Sequence, residues 1–133
     1  MKPIFVDASF WIALRDRHDP LHLRATQTAR AIAGGRRALV TTHLVFAEIH
    51  AYFSRFKNLR EQLINDFWSG NVVRLESVQA GDHAEALALL RQCEDKSYSF
   101  CDAVSFILMR RLGLRQALSF DHHFQQIGEF EIL

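Results

Sequence analysis

Cysteine, proline and glycine are all scarce in this chain: its 133 residues include 2 Cys, 2 Pro and 6 Gly. Two thiols, Cys93 and Cys101, cannot build a disulfide scaffold, and they lack the number and spacing of a cysteine zinc site. The expected state of both is a reduced, buried or half-buried thiol in a reducing compartment, hence the cytoplasm. So little Gly and Pro excludes long flexible linkers, and no repeat or low-complexity tract is present. No uncharged apolar run approaches the roughly 18 residues of a membrane span. The opening MKPIFVDASFWIAL is broken early by Asp7 and no small-residue cleavage site follows, which makes it a poor secretory signal. Lysine is scarce too, three against thirteen Arg.

What is present is the balance of an ordinary globular protein: 49% hydrophobic, 23% charged and a formal net charge of +1. That net charge alone points to no nucleic-acid partner. The choice of Arg over Lys is more telling, because a planar guanidinium fork suits phosphate. The length fits a single domain over residues 1–133 with a real core.

Apolar periodicity and turn residues give an alternating order of elements. Short strands are expected at 3–6, 37–41, 72–75 and 115–119, with a final edge strand near 129–132. Between them lie a helical turn from Ser9, helices over 21–33, 43–56, 58–68, 79–93 and 100–112, and a brief helix at 122–126. Asp7 or Ser9, Asp19, the pair Thr41–Thr42, and Asn58 are the expected helix caps. Short strands alternating with longer helices imply a three-layer α/β/α sandwich with a mostly parallel sheet. Right-handed crossovers then bring the carboxyl ends of the strands to one edge, where ligands bind in such sheets.

Four acids map to that edge. Asp7 follows the first strand directly and Asp121 lies just beyond the fourth; Glu48 and Asp102 sit on helices that begin at the same edge. Asp102 and Glu48 both have apolar company, Ala103 and Val104 in one case, Ala47 and Ile49 in the other. Each acid also has a structural explanation: a cap for Asp7 and Asp121, a first-turn charge for Asp102 and a solvated helix face for Glu48. Gathered together, like charges repel and raise one another's pKa unless a hard cation compensates them. Oxygen donors alone favour Mg²⁺ or Mn²⁺, and such ions bind few carboxylates plus substrate phosphate. A phosphodiester is therefore the natural substrate, cut by metal-assisted hydrolysis.

The segments FVDASFWIAL around Asp7, LVFAEIHAYFSR around Glu48, YSFCDAVSFILMRRLG around Asp102 and ALSFDHHFQQIG around Asp121 resemble a known family. Taken in this order and at these distances, they are similar to the PIN domain, and within it to the small VapC-like toxin nucleases. The resemblance covers essentially the whole chain. It implies endoribonuclease activity, with Asp7, Glu48, Asp102 and Asp121 holding one or two Mg²⁺ or Mn²⁺ ions. It implies supporting roles for the hydroxyls of Ser9 and Ser119. It further implies RNA as substrate, a homodimer, and a cognate antitoxin that covers the cleft.

Among the remaining polar residues, Arg15 is the foremost candidate to bind phosphate, followed by Arg17, Arg36, Arg37 and Arg55, with Arg110 and Arg111 more distant. Adjacent histidines do not share a helical face, so His122 and His123 are expected at the surface or half-buried rather than as joint metal ligands. Tyr98 is expected in the core or at the rim. Three rival readings stand. A phosphatase using Asp7 as nucleophile expects a D-x-D pair where this chain has DAS. A non-enzymatic receiver-like module expects a late Lys where QALSFD offers Asp. A housekeeping RNA-processing nuclease or a DNA-flap nuclease would share the same acids.

Overall fold

The computed structural model describes all residues from Met1 to Leu133. Its elements run β1 (Ile4–Val6), α1 (Ala8–Arg15), α2 (His22–Ala33), β2 (Leu39–Thr41), α3 (His43–Tyr52), α4 (Lys57–Trp68), β3 (Val73–Leu75), α5 (Ala80–Gln92), α6 (Phe100–Leu112), β4 (Gln116–Leu118), α7 (His122–Gln126) and β5 (Glu131–Ile132). The strands form one sheet in the order β3-β2-β1-β4-β5, and every pairing is parallel. Ile4 and Phe5 lie opposite Leu39 and Val40 on one side of β1, and Phe5 and Val6 opposite Ala117 and Leu118 on the other.

The central strand has no polar residue and is fully buried, as a strand covered on both faces must be. Right-handed crossovers with this strand order place α1–α4 on one face and α5–α7 on the other. Packing agrees. Trp11 of α1 meets Phe67 of α4 edge-on at 5.2 Å, and Phe46 of α3 lies 5.6 Å from Phe67. On the opposite face Phe5 stacks on Phe124 of α7, and Phe106 of α6 meets the same ring at 4.9 Å. The result is the three-layer sandwich expected from the sequence.

Helix ends explain several boundaries. Gly113 stops α6 in the left-handed region at φ 67°, a conformation that favours glycine, and Lys2 donates to its carbonyl. Two expected caps do something else. Asp19 closes a turn by accepting from the Leu21 amide, and α2 starts at His22 with no side-chain cap. Helix α4 starts at Lys57 after Phe56, so Asn58 lies inside it. The buried stripe of α3 is Val45 and Ile49, continued by Phe53, while Ala47 and Ala51 face solvent.

Sheet order also fixes where a site can lie. The chain moves from β1 to β2 and β3 on one side, then returns to β4 and β5 on the other. The crossovers diverge at the carboxyl ends of β1 and β4, and the crevice opened there is the usual ligand position in open α/β sheets.

Candidate active site

Asp7 leaves β1 at that crevice. Its backbone amide donates to the Leu118 carbonyl, extending the β1–β4 ladder, and its extended backbone caps α1. The carboxyl Oδ2 accepts the Ser9 amide at 3.3 Å, the Ser9 hydroxyl at 2.6 Å and the Ser119 hydroxyl at 3.0 Å. Both hydroxyls also accept from backbone just after β4: Ser9 Oγ from the Phe120 amide at 2.9 Å and Ser119 Oγ from the Asp121 amide at 3.0 Å. The two serines thus stitch the ends of β1 and β4 together around one carboxylate.

Asp102 is the third residue of α6 and closes a capping box: Ser99 Oγ accepts the Asp102 amide, and Asp102 Oδ2 accepts the Ser99 amide, each at 3.0 Å. The same Oδ2 lies 2.8 Å from Nδ1 of His123. Asp121 caps α7, with Oδ1 accepting the His123 amide at 2.9 Å. Glu48 sits on the solvent side of α3.

A common pattern connects the three aspartates. Each uses one oxygen to hold the scaffold, and the other (Oδ1 of Asp7 and Asp102, Oδ2 of Asp121) accepts no hydrogen bond from the protein. No Arg or Lys pairs with any of the four acids; their only cationic-type neighbours are His122 and His123. Burial pushes the Asp7 carboxyl above its ordinary range; the Ser9 and Ser119 hydroxyls oppose this, and the charges of Asp102 and Asp121 add to it. Glu48 is also raised, first by partial burial and then by the charge of Asp7, with Asp102 and Asp121 contributing less. Burial beside Glu48, Asp7 and Asp102 drives the Cys101 thiol strongly upward, which keeps it neutral and unreactive.

Free oxygen donors without cationic partners suit a hard divalent ion, so the residues present fit Mg²⁺ or Mn²⁺. A second donor group lies beside them: one ligand atom each from Asp121, His122 and His123 falls within 4.8 Å of the others. His122 is exposed and His123 half-buried, as expected, but their donor atoms lie closer together than helical spacing suggested. At the first two positions of α7 both rings turn back toward the capping carboxylate, with centroids 4.2 Å apart.

Other expectations resolve differently. Arg15, the foremost phosphate candidate, points away into an ion pair: its Nε and Nη2 donate to Oδ2 of buried Asp66 at 3.1 and 2.8 Å. Arg110 is paired with Glu129 and Arg111 with Asp82, while Arg37 donates to the Lys2 carbonyl and to Gln116. Arg17, Arg36 and Arg55 take no ionic partner. Tyr98 is a core residue, buried edge-on against Phe106. The sequence reading missed the contacts of His123 with Asp102 and Ser97 and the pairing of Ser99 with Asp102. The spacing S-x-x-D at 99–102 was a legible capping-box signal; the others depend on tertiary contacts.

A cavity of about 770 Å³ lies away from the carboxylates, where the ends of α1 and α3 meet the start of α4. Its lining includes Arg17, Tyr52, Arg55 and Phe56. Tyr52 is one turn beyond Glu48 on α3, so this groove adjoins the acidic edge along one helix.

Comparison with known proteins agrees with this geometry. Residues 4–130 match the model of the PIN domain. The chain is 33% identical over 130 residues to the 23S rRNA-specific endonuclease VapC20 of two Mycobacterium tuberculosis strains, covering 97% of this chain and 97% of each relative. It is similar to the crystal structure of Mycobacterium tuberculosis VapC20, described as a sarcin–ricin loop cleaving toxin, with a TM-score of 0.84, 31% sequence identity and coverage of 97% and 98% of the two chains. On sequence, fold and site together, the chain belongs to the PIN domain family, among its VapC20-like toxin ribonucleases.

Proposed function

We propose that the chain is a divalent-metal-dependent endoribonuclease and the toxin of a toxin–antitoxin pair. One observation carries the reading: acids at the β1–β4 crevice lack any Arg or Lys partner, and three of them each keep one oxygen free. Mg²⁺ or Mn²⁺ bound there supplies charge that offsets the charge developing on the phosphoryl oxygens and acidifies water at the scissile phosphate. Asp7 is the central ligand, fixed by Ser9 and Ser119. Asp102 and Asp121 complete the set from α6 and α7, and Glu48 faces them from α3.

Substrate binding falls to other residues. Arg17 and Arg55 are free to meet phosphates and so to position RNA without reading its sequence, whereas Arg36 precedes β2 at the opposite edge of the sheet. Contacts of that kind make binding salt-dependent. The names of the relatives point to a loop of ribosomal RNA as the first substrate to test. The same likeness brings a cytoplasmic setting, a cognate antitoxin and a homodimer. Exposed Trp68, Phe56 and Ile64 offer apolar surface for such partners.

The test is incubation of purified protein with defined RNAs, including a sarcin–ricin hairpin, with Mg²⁺, Mn²⁺ or chelator, beside Asp7→Asn. The expected products carry a 5′-phosphate and a 3′-hydroxyl, and cleavage disappears with chelator and in the variant. A 2′,3′-cyclic phosphate would refute the mechanism, because it requires the ribose hydroxyl as nucleophile. Cleavage that survives both chelation and substitution would refute the site.

A further inference from the structure

His123 is the half-buried imidazole of this centre, and both of its ring nitrogens are engaged. Its side chain is 12% exposed, against 75% for its neighbour His122. The ring stands edge-on against Tyr98, centroids 5.2 Å apart. Nδ1 lies 2.8 Å from Asp102 Oδ2 and 3.3 Å from Asp121 Oδ1. Nε2 lies 3.1 Å from Ser97 Oγ, in the link that leads into α6. A carboxylate only accepts hydrogen bonds, so the proton between His123 and Asp102 belongs to Nδ1; in the neutral ring Nε2 then accepts from the Ser97 hydroxyl.

We propose that His123 is a positioning residue whose Nδ1–H clamps Asp102 to Asp121 across the gap between α6 and α7. The bond occupies Asp102 Oδ2, already shared with the Ser99 amide, and reaches toward Asp121 Oδ1, which the His123 amide also holds. Asp102 Oδ1 and Asp121 Oδ2 are left as the outward oxygens for a cation. Two carboxylates drawn together repel, and a donor bonded to one and 3.3 Å from the other offsets part of that repulsion. Partners one bond removed from a metal orient its ligands in this way. The rival role is direct ligation within the Asp121–His122–His123 group. It requires a bare nitrogen aimed at the ion, and in His123 one nitrogen is committed to Asp102 and the other faces Ser97. His122 has no such commitment.

The inference rests on the metal reading above, so its test has an arm that needs no metal. Nitrogen-15 NMR of the histidine side chains in the metal-free protein should show His123 protonated at Nδ1, and Asp102→Asn should shift that signal. In the second arm Mn²⁺ affinity is measured by paramagnetic resonance on wild type, His123→Ala and His123→Asn. The alanine variant should bind Mn²⁺ about 10–100-fold more weakly. RNA cleavage should lose kcat with KM nearly unchanged. Asparagine, whose side-chain N–H can stand near the imidazole Nδ1, should recover most of the affinity. Nitrogen coupling from His123 to bound Mn²⁺ would overturn the proposal in favour of direct ligation. So would a bare Nδ1, or wild-type Mn²⁺ affinity in His123→Ala. Wild-type protein that takes up no Mn²⁺ yet shows the Nδ1 proton shifting in Asp102→Asn would sink the metal reading and leave the clamp standing.

Discussion

Four aspartates of this protein are equally hidden from solvent yet compensated in opposite ways. Asp66 and Asp82, with 5% and 3% of their surface exposed, each receive an arginine. Arg111 grips Asp82 through two bonds of 2.9 Å, and Arg15 grips Asp66 through Nε and Nη2. Asp7 and Asp102, at 4% and 6%, receive only hydroxyls, backbone amides and one imidazole. Burial by itself would raise Asp82, but Arg111 and the Gln79 amide hold it below its ordinary value; Asp7, without a cation, stays raised. Structural acids here come with their counter-charge. Those at the crevice have no Arg or Lys beside them.

The signs for stability follow. A carboxyl raised by folding, such as Asp7, contributes its stability fully below the unfolded value near 3.8 and loses it as pH climbs through the folded value. Asp82 behaves the other way: its contribution is present above 3.8 and is lost as pH falls through the lowered folded value. Neutral pH is thus where the metal-free crevice is most strained and where the Arg111 pair is intact.

The largest expected effect separates the two groups most sharply. Asp7→Asn should lower RNA cleavage by about 10³-fold, while the metal-free variant melts roughly 2–5 °C above wild type at pH 7. A lower melting temperature would mean that Asp7 is structural after all. Next comes the ion itself. Mg²⁺ or Mn²⁺ at about 100 times its dissociation constant should stabilise wild type by about 2.7 kcal/mol, and Asp7→Asn should lose most of that gain; calorimetry with and without chelator reads both. Arg111→Ala reverses the pattern. It strands Asp82 and should cost about 2 kcal/mol by denaturant unfolding, with cleavage per folded molecule unchanged. The smallest effect is expected for Ser119→Ala, which takes one donor from Asp7. Cleavage should fall roughly tenfold, the loss of about one hydrogen bond to a charged group, and the Asp7 titration followed by carbon-13 NMR should move further upward.

Much of the fold was legible because it rests on local pattern. The IFV strand, the alternation of short strands with long helices, and the glycine after α6 all appear in the sequence as they do in space. The convergence of Asp7 and Asp121 followed from topology alone, since parallel strands with right-handed crossovers share an edge. What stayed hidden was set by distant partners. Arg15 looked like a phosphate binder because nothing near it in sequence shows that Asp66, 51 residues away, will take its guanidinium. His123 was expected at the surface or half-buried, and it is half-buried; its bond to Asp102 stayed hidden because helical periodicity does not describe the first turn, where backbone and rings alike bend toward a capping carboxylate. Asn58 and Asp19 had the chemistry of caps, but Phe56 and Leu21 hold the cap positions of α4 and α2 without a side-chain bond.

The bond from Ser119 to Asp7 joins residues 112 apart in the chain. Strand β4 is the last to enter beside β1, and a pairing so remote in sequence closes late, after the entropy of a long loop has been overcome. During synthesis, a nascent chain that ends short of β4 holds Asp7 without Ser119, Asp121 or His123. Whatever this centre does, it does only once the segment from β4 to α7 has joined β1.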